Sequence, residues 1–282
     1  MVRIFGRRIY MADVAIWVVG AFVTVIWIVP LVWMMLSSVK PEGEILTRTP
    51  ELLPRHFTLE NYQIILQHPI VRWITNSTLV SIGGTLLTLF VSATAGYAFA
   101  RFSFRGKQAM FGLLLATLIV PFEVTMIPLY LLMAGLHLTG TLTAMILPDA
   151  ASAVGVYIFR NFFLSFPREL EDAAAIDGCG PWGTFFRVAL PLARPAILAV
   201  TILGFVGYWN AFLWPLLVSS PETTTMALGI SVFRPAAGNT GQTQFLGPGL
   251  AAATLLALPT LLVFFVLQRY FIEGVTTSGL KQ

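Results

Sequence analysis

The sequence predicts an all-α membrane protein, a bundle of six transmembrane helices. Its 282 residues are 57% hydrophobic and 11% charged, whereas soluble domains average roughly 45–50% apolar and about 25% charged residues. The apolar residues run in blocks long enough to cross the roughly 30 Å of bilayer hydrocarbon. The alternating ten-residue segments of a membrane β-barrel are absent from the sequence, so these blocks are expected to satisfy their backbone groups as helices.

Six apolar blocks each reach roughly 20 residues, the length that one membrane helix needs. The predicted helices are residues 14–36, 73–100, 108–132, 142–163, 195–217 and 248–270. They leave an N-terminal segment, a long outer loop and a C-terminal tail, at residues 1–13, 37–72 and 271–282. The first block is similar to a signal peptide, but it is too long and lacks a small-residue cleavage site, so we interpret it as a retained helix.

The basic residues predict that both termini are cytoplasmic. Six helices place the termini on one side, and inner loops of membrane proteins carry an excess of Lys and Arg. With an inner N-terminus, five of the 17 basic residues lie outside and the other 12 lie inside. The outer five are Lys40, Arg48, Arg55, Arg72 and Arg234. Because the basic residues are scattered between apolar blocks and form no stripe with aromatics, the expected partner is the lipid bilayer and not nucleic acid.

Small residues and prolines within the blocks predict two local features. Pro121 and Pro128 interrupt the third predicted helix, and a proline removes an intrahelical hydrogen bond and bends the axis. Such kinks suit a cavity, and they suit packing between neighbouring helices equally well. Ser92, Gly96 and Ala100 recur every four residues in the second helix. Small residues at this spacing let another helix approach closely.

The reactive residue types exclude several classes of site. Cys179 is the only cysteine, so neither an intramolecular disulfide nor a thiolate metal cluster can form. The histidines, His56, His68 and His137, lack HExxH spacing, and the sequence has no GxSxG or P-loop pattern. We therefore expect the chain to bind no metal, to hydrolyse no ATP by itself and not to be an intramembrane enzyme.

The loop between the fourth and fifth predicted helices, residues 166–191, has the most specific pattern, FPRELEDAAAIDGCGPWGTFFRVALP. Pro167 can start a short helix and Gly178 can end it. Pro181 can start a second helix, which Pro191 stops. A helix that lies on the membrane surface normally has a basic polar face, whereas the polar residues here are mostly acidic. The pattern favours a pair of short helices that docks into a protein groove.

This loop resembles the EAA loop of ABC importer permeases, in which a glutamate and two alanines precede Asp-Gly and a later aliphatic residue precedes Leu-Pro. The glutamate position falls on Asp172 by contiguous counting, or on the neighbouring Glu171. The resemblance implies coupling to an ATPase for the matching positions Glu171, Asp172, Ala173, Ala174, Asp177, Gly178, Leu190 and Pro191. Val188 also matches the motif. The resemblance implies that a cytoplasmic ATPase binds this loop and tilts the attached helices.

Further segments resemble the sugar branch of these permeases, and in particular the shorter permease subunit of the maltose transporter. They are NSTLVS from Asn76, TAGYAFARFSF from Thr94, TMIPLYLL from Thr125, FRNFFLSFPREL from Phe159, WNAFLWPLL from Trp209 and QRYFIEGVTTSGLKQ from Gln268. Together they cover most of the chain. The resemblance implies a bundle of the type I ABC importer permease kind, with the permease domain at residues 73–270.

The resemblance also implies an assembly in a bacterial or archaeal cytoplasmic membrane. Its expected components are a second homologous permease subunit that forms a heterodimer with this chain, two ATPase subunits that carry ATP and Mg²⁺, and a solute-binding protein. This chain is expected to bind no cofactor itself. The binding protein is expected to contact residues 40–72 and 219–247. The substrate is expected to be a sugar, with disaccharides, longer oligosaccharides and glycerol phosphates all open.

Polar and aromatic residues within the predicted helices are candidates for a sugar pathway, because an acid near the bilayer centre costs about 2.5–3.5 kcal/mol and sugars need hydrogen-bonding and aromatic partners. The candidates are Glu123, Tyr130, Asp149, Tyr157, Trp209 and Asn210. Other interpretations stay open at this stage. Glu123 can lie near the outer interface, Asp149 is close to the start of its helix, and Asn210 can bond to a neighbouring helix.

A proton- or sodium-coupled secondary carrier is the alternative function. Such carriers often have two repeated halves with broken helices, and the sequence contains no convincing repeat. They also have no use for an EAA loop. The sequence therefore favours an importer subunit over a carrier.

Overall fold

The computed structural model describes residues 2–4, 7–9, 11–47, 51–233 and 246–279, with side chains within residues 15–267. Contacts divide the chain into two compact units. One is Met1–His68 with Ile230–Ala257, and the other is Pro69–Gly229 with Leu258–Gln282. Residues 234–245 of the second predicted outer segment, and residues 280–282 of the predicted tail, lie outside the described residues.

The first unit contains a short hairpin, a long apolar helix and two short helices. The elements are β1 (Val2–Ile4), β2 (Arg7–Ile9), α1 (Met11–Ser37), α2 (Glu42–Ile45) and α3 (Glu60–Leu66), with a 3-10 turn at Ile230–Phe233. The two strands pair antiparallel, with Arg3 opposite Arg8. The hairpin occupies the predicted N-terminal segment, and α2 and α3 lie in the predicted long outer loop.

The second unit contains most of the helices. They are α4 (Ile70–Arg101), α5 (Lys107–Ala116), α6 (Phe122–Gly135), α7 (Leu142–Ile146), α8 (Ala153–Ser165), α9 (Glu169–Ile176), α10 (Pro181–Thr184), α11 (Leu190–Leu192), α12 (Arg194–Asn210), α13 (Leu213–Val218) and α14 (Met226–Gly229). Short 3-10 turns follow α5 and α7, at Thr117–Ile119 and Pro148–Ala150. The last helix of the chain, α15 (Leu246–Gly279), is helical through residues 271–279, which the sequence assigned to a tail.

Three single helices and three bent pairs have the length and apolarity of membrane spans. The single helices are Ala15–Ser37, Ile70–Arg101 and Leu246–Leu267. The bent pairs are Lys107–Ile119 with Phe122–Gly135 (104°), Leu142–Ala150 with Ala153–Ser165 (45°), and Pro181–Leu192 with Arg194–Asn210 (77°). Counting each bent pair as one span gives six spans in the described residues. The predicted α-helical membrane fold is confirmed.

Helix α4 packs against both α8 and α12 in the second unit. Small residues permit the approach of α8, since a Cβ on Gly96 would lie 2.6 Å from the Phe159 Cβ and 2.9 Å from the Arg160 backbone nitrogen. Likewise, a Cβ on Gly155 would lie 2.4 Å from the Ser92 Oγ. The close helix contact predicted from the small residues of α4 is therefore confirmed.

Prolines explain two breaks in the predicted helices. Val120 is extended, with ψ of 117°, as a residue before proline prefers, and the chain bends by 104° at this point. Pro128, by contrast, lies inside α6 without a break. Pro215 has no N–H to donate to the carbonyl of Ala211, and its ring would clash with that carbonyl in a helix. The predicted continuous helix 195–217 is accordingly interrupted between α12 and α13.

Within the first unit, the Glu42 carboxylate caps the N-terminal end of α15. Glu42 accepts hydrogen bonds from the backbone N–H groups of Leu246 at 3.0 Å and Gly247 at 2.7 Å. The first N–H groups of a helix have no partner inside the helix, and a negative charge is favourable at that end. Asn61 donates to two carbonyl groups of the preceding loop, at 2.9 and 2.8 Å. Side-chain hydrogen bonds thus order the predicted outer loop.

Candidate functional site

The loop helix α9 ends in a glycine turn. Gly178 N–H donates to the Ala175 carbonyl at 3.1 Å, and Cys179 N–H donates to the Ala174 carbonyl at 2.9 Å. This pair of bonds is the Schellman arrangement, which places a left-handed residue directly after the helix. Gly178 supplies that conformation with φ of +83°. The helix end predicted at Gly178 is therefore confirmed.

Glu171 on α9 forms a buried ion pair with Arg101 at the end of α4. Arg101 Nε donates to Glu171 Oε1 at 2.7 Å, and Arg101 Nη2 donates to the Phe166 carbonyl at 2.9 Å. The arginine side chain is 6% exposed and the glutamate side chain 14%. Ala174 is buried as well. One face of α9 is thus attached to α4 by a charge-assisted hydrogen bond, which is stronger than a neutral one, and the segment just before α9 is attached to α4 by a second.

Aromatic rings pack near this ion pair. Tyr97, one turn before Arg101, contacts Phe163 and Phe185, with ring centroids 5.2 and 5.1 Å apart. Both phenylalanines are fully buried, and edge-on or tilted ring pairs add to the stability that burial provides. Because the three rings come from α4, α8 and the second half of the loop, the cluster connects the loop to two membrane helices.

The opposite face of α9 is open. Asp172, Ala173, Ile176 and Asp177 are exposed, and Ile176 exposes 87% of its surface. The two candidates for the glutamate of the motif therefore differ in environment. The Glu171 side chain is mostly buried in the ion pair, whereas Asp172 is exposed.

The second half of the loop ends at the predicted Leu190 and Pro191. A π-helix, Phe185–Ala189, lies directly before α11. Pro191 has no N–H to donate to the carbonyl of Arg187, so regular α-helical bonding does not continue through it. Leu190 packs against the buried cluster of the second unit, whereas Pro191 is exposed.

An open cavity of about 740 Å³ lies among side chains of α4, α6, α8, α12 and the two 3-10 turns, all within the second unit. Two helix breaks border it, because its wall includes Val120 at the 104° bend, and Pro148, Asp149, Ala151 and Ser152 between α7 and α8. Most of the wall is apolar. The polar residues in the wall are Thr88, Thr117, Thr125, Asp149, Ser152 and Tyr208.

Several of the hydroxyl groups already have partners. The Tyr208 hydroxyl donates to the Ile146 carbonyl at 3.1 Å and lies 3.3 Å from the Thr88 Oγ1. Thr88 Oγ1 also lies 3.5 Å from the Asp149 carbonyl oxygen. Ser152 Oγ caps α8 by accepting a backbone N–H at 3.1 Å. These bonds connect α4, α12 and the break before α8, so the wall is built from three separate parts of the chain.

The structure places one of the six predicted pathway residues, Asp149, in the wall of this cavity. Trp209 is buried and its ring stacks on Phe205, with centroids 5.8 Å apart. Four predicted residues are exposed and lie outside the cavity wall, namely Glu123, Tyr130, Tyr157 and Asn210. The side-chain amide of Asn210 donates to the backbone carbonyl of the preceding helical turn, at 2.9 Å.

The hydroxyl groups of the cavity wall and the partner of Glu171 were not predicted from the sequence. Serine and threonine in helices usually bond to a carbonyl of the preceding turn, so their presence alone does not mark a cavity. Arg101 lies 70 residues before Glu171, and no spacing rule connects the two positions. The one available signal was the break-forming sequence around Pro121 and Pro148, since irregular backbone at membrane depth lines cavities or is buried in protein.

Known proteins are similar to this chain over most of its length. The arabinooligosaccharides transport system permease protein AraQ of Bacillus subtilis (strain 168) is 36% identical over 263 residues, which is 92% of each chain. The lactose transport system permease protein LacG of Rhizobium radiobacter is 36% identical over 89% of this chain and 90% of that protein. Both are named as permeases, which agrees with the expectation of a transport subunit that is not an enzyme.

A solved structure and a protein family are also similar to this chain. A chain of a bacterial ABC transporter involved in the import of the acidic polysaccharide alginate matches with a TM-score of 0.80 and 21% identity, over 94% of this chain and 99% of that one. At this identity the likeness concerns the fold. The family described as the inner membrane component of binding-protein-dependent transport systems matches residues 88–277. This multi-pass membrane protein therefore belongs to the family of binding-protein-dependent transport system inner membrane components.

Proposed function

We propose that this chain is a membrane-spanning permease subunit of an ATP-driven importer, and that it translocates a sugar or oligosaccharide delivered by a solute-binding protein. Two relatives, each more than a third identical, are named for arabinooligosaccharides and lactose. The cavity supports this proposal, because its hydroxyl groups and single carboxylate suit a ligand rich in hydroxyls. Its volume of about 740 Å³ falls within the range of small-molecule sites, about 300–1,000 Å³.

The proposed coupling to an ATPase is carried by one observation: α9 is attached to α4 on one face and open on the other. A partner that contacts Asp172 and Ala173 would displace α9. The Arg101–Glu171 ion pair would pass that displacement to α4, which contributes Thr88 to the cavity wall. Closure of an ATPase dimer on ATP supplies such a displacement, and rigid packed elements transmit it.

The complete transporter is proposed to contain a second homologous permease subunit and two ATPase subunits, on which ATP is hydrolysed with Mg²⁺. Both termini and the loop 166–191 then lie in the cytoplasm, as the distribution of basic residues favours. The solute-binding protein contacts residues 40–72 and 219–247 on the opposite side. The first of these segments is ordered for such a contact by the Glu42 cap on α15.

Uptake into proteoliposomes tests the proposed function. The complex is purified with its copurifying subunits, reconstituted with its solute-binding protein, and supplied with labelled lactose or a labelled arabinooligosaccharide. We expect uptake to require ATP on the side of the membrane where the loop 166–191 lies. A pH gradient alone should not drive uptake. Uptake driven by a pH gradient without ATP would favour the secondary carrier, and a purified complex without a nucleotide-hydrolysing subunit would refute the importer.

A glycine substitution tests the coupling itself. Valine at position 178 would require a β-branched residue with φ near +83°, and the left-handed region costs an L-residue about 1–2 kcal/mol. We expect Gly178→Val to uncouple ATP hydrolysis from sugar uptake by distorting the end of α9. Gly106→Val is the matched control, since Gly106 has φ of +79° and also has open space around its Cβ position. Equal uptake per ATP in both variants would refute the role of the loop.

A further inference from the structure

Asp149 carries the only carboxyl group in the wall of the cavity, among the residues that the structure describes. Asp149 lies in the 3-10 turn Pro148–Ala150, at the break between α7 and α8. Its backbone carbonyl lies near the Thr88 hydroxyl, so the backbone of this turn is placed by a contact with α4. The side chain is exposed into the open space that the four helices surround.

No opposite charge compensates this carboxylate within the described part of the chain. Among the described side chains, the wall of the cavity contains no lysine, arginine or histidine. The ion pairs in residues 51–233 and 15–47 involve other acids, namely Glu44, Glu51 and Glu171. The wall around Asp149 is mostly apolar, and apolar walls concentrate the field of a charge inside a cleft.

A negative potential in the cavity distinguishes ligands by their charge. A carboxylate accepts hydrogen bonds from hydroxyl groups, and these charge-assisted bonds are stronger than neutral ones. The same carboxylate repels a second carboxylate or sulfonate, and like charges brought together across an interface are strongly unfavourable. Selectivity of this kind comes from the repulsive contact as much as from the attractive one.

We propose that Asp149 makes this cavity selective for uncharged saccharides and against acidic ones. The inference rests on the proposed function, because it names the substrate class of the same transporter. It concerns this chain alone, and the fold that the chain shares with a component of an alginate importer, at 21% identity, does not determine the charge of the cavity. Asp149 is thus a residue that determines specificity through the electrostatic potential of the pathway.

Thiol modification measures that potential without knowledge of the substrate. Ala151 lines the same cavity and is small and exposed, so Ala151→Cys is introduced together with Cys179→Ser. The reconstituted complex is treated with a cationic and an anionic methanethiosulfonate reagent, and the mass of this chain reports both modification rates. We expect Asp149→Asn to lower the ratio of cationic to anionic rate by about tenfold, since charged clefts change local ion concentrations by at least that factor. Glu123→Gln, which removes the same charge outside the cavity wall, should leave the ratio unchanged.

An uptake measurement tests the selection. Proteoliposomes take up a neutral disaccharide and the uronic acid obtained by oxidising it, with the same solute-binding protein throughout, so that its own preference cancels between variants. We expect Asp149→Asn to raise the ratio of acidic to neutral uptake by about tenfold. An unchanged reagent ratio, or an unchanged uptake ratio, would overturn the inference. Absence of any saccharide uptake by the unaltered protein would instead refute the proposed function, while the reagent ratio would still report on Asp149.

Discussion

Replacement of Arg101 by methionine should detach the loop helix α9 from α4. At 2.7 Å and an effective dielectric constant of about 20, the attraction between the two charges is about 6 kcal/mol. Burial of the two ions costs several kcal/mol each, so the intact pair adds little net stability. Arg101→Met removes the attraction but leaves the Glu171 carboxylate buried and unpaired. Breaking a buried pair in this way destabilises by about 3–5 kcal/mol.

A double-mutant cycle measures this effect. A loss of about 3–5 kcal/mol changes the equilibrium constant between docked and undocked α9 by roughly 100-fold or more. Arg101→Met should therefore lower both the thermal stability of the complex and the sugar uptake per ATP hydrolysed. Arg101→Met combined with Glu171→Met should recover most of the stability, because no charge stays buried. Proteoliposome uptake, ATP hydrolysis and thermal unfolding are measured for all four forms of the cycle.

Two results would refute this reasoning about the ion pair. One is an Arg101→Met variant with unaltered stability and unaltered uptake per ATP. The other is a double variant that is as unstable as the single variant. Arg55→Met is the matched control, since Arg55 pairs with Glu51 at the surface of the loop between α2 and α3, and exposed pairs contribute little. It should change neither quantity measurably.

Three further substitutions test other contacts. Gly96→Leu should destabilise the complex by about 1–3 kcal/mol or more in thermal unfolding, because its Cβ would lie 2.6 Å from the Phe159 Cβ. Tyr208→Phe should cost about 0.5–1.5 kcal/mol in the same assay, because a carbonyl beside the cavity loses its donor. The hydrogen bond from His56 holds the pKa of the Glu44 carboxyl below its ordinary value of 4.5. This contact therefore stabilises the loop between α2 and α3 at pH values above 4.5, and the stabilisation is lost as pH falls through the lowered pKa. Glu44→Gln should remove this acid sensitivity, measured as hydrogen exchange of the residue 56 backbone N–H.

Each of these predictions has a contradicting outcome. Gly112→Leu is the control for Gly96→Leu, since a Cβ at Gly112 meets nothing within 4 Å, and equal stability of the two variants would contradict the close packing of α4 and α8. A Tyr208→Phe variant as stable as the original would show that the carbonyl of residue 146 does not depend on the tyrosine. If the residue 56 N–H exchanges with the same pH dependence in Glu44→Gln, the carboxylate is not its acceptor.

Features that depend on nearby residues could be predicted from the sequence. The length and apolarity of the blocks predicted membrane helices, because the cost of burying backbone groups in lipid depends only on local structure. Pro121 predicted the bend in the third span, and Gly178 predicted the end of α9, because each acts through its own backbone. Pro215 could have predicted the break after α12 in the same way. The continuous apolarity of residues 195–217 predicted a single helix instead.

The lipid environment, the helical class and the family of this protein follow from its apolar runs and from one contiguous loop motif, and so could be predicted without a structure. The tertiary structure decided which side chains meet. In the structure, Glu171 pairs with Arg101 while Asp172 is exposed. Asp149 lines the cavity, and Tyr157 lies outside its wall. The physical reason is that these contacts depend on how α4 packs against α8 and α12. That packing joins residues far apart in the chain, and the same residue types would have been equally compatible with other pairings.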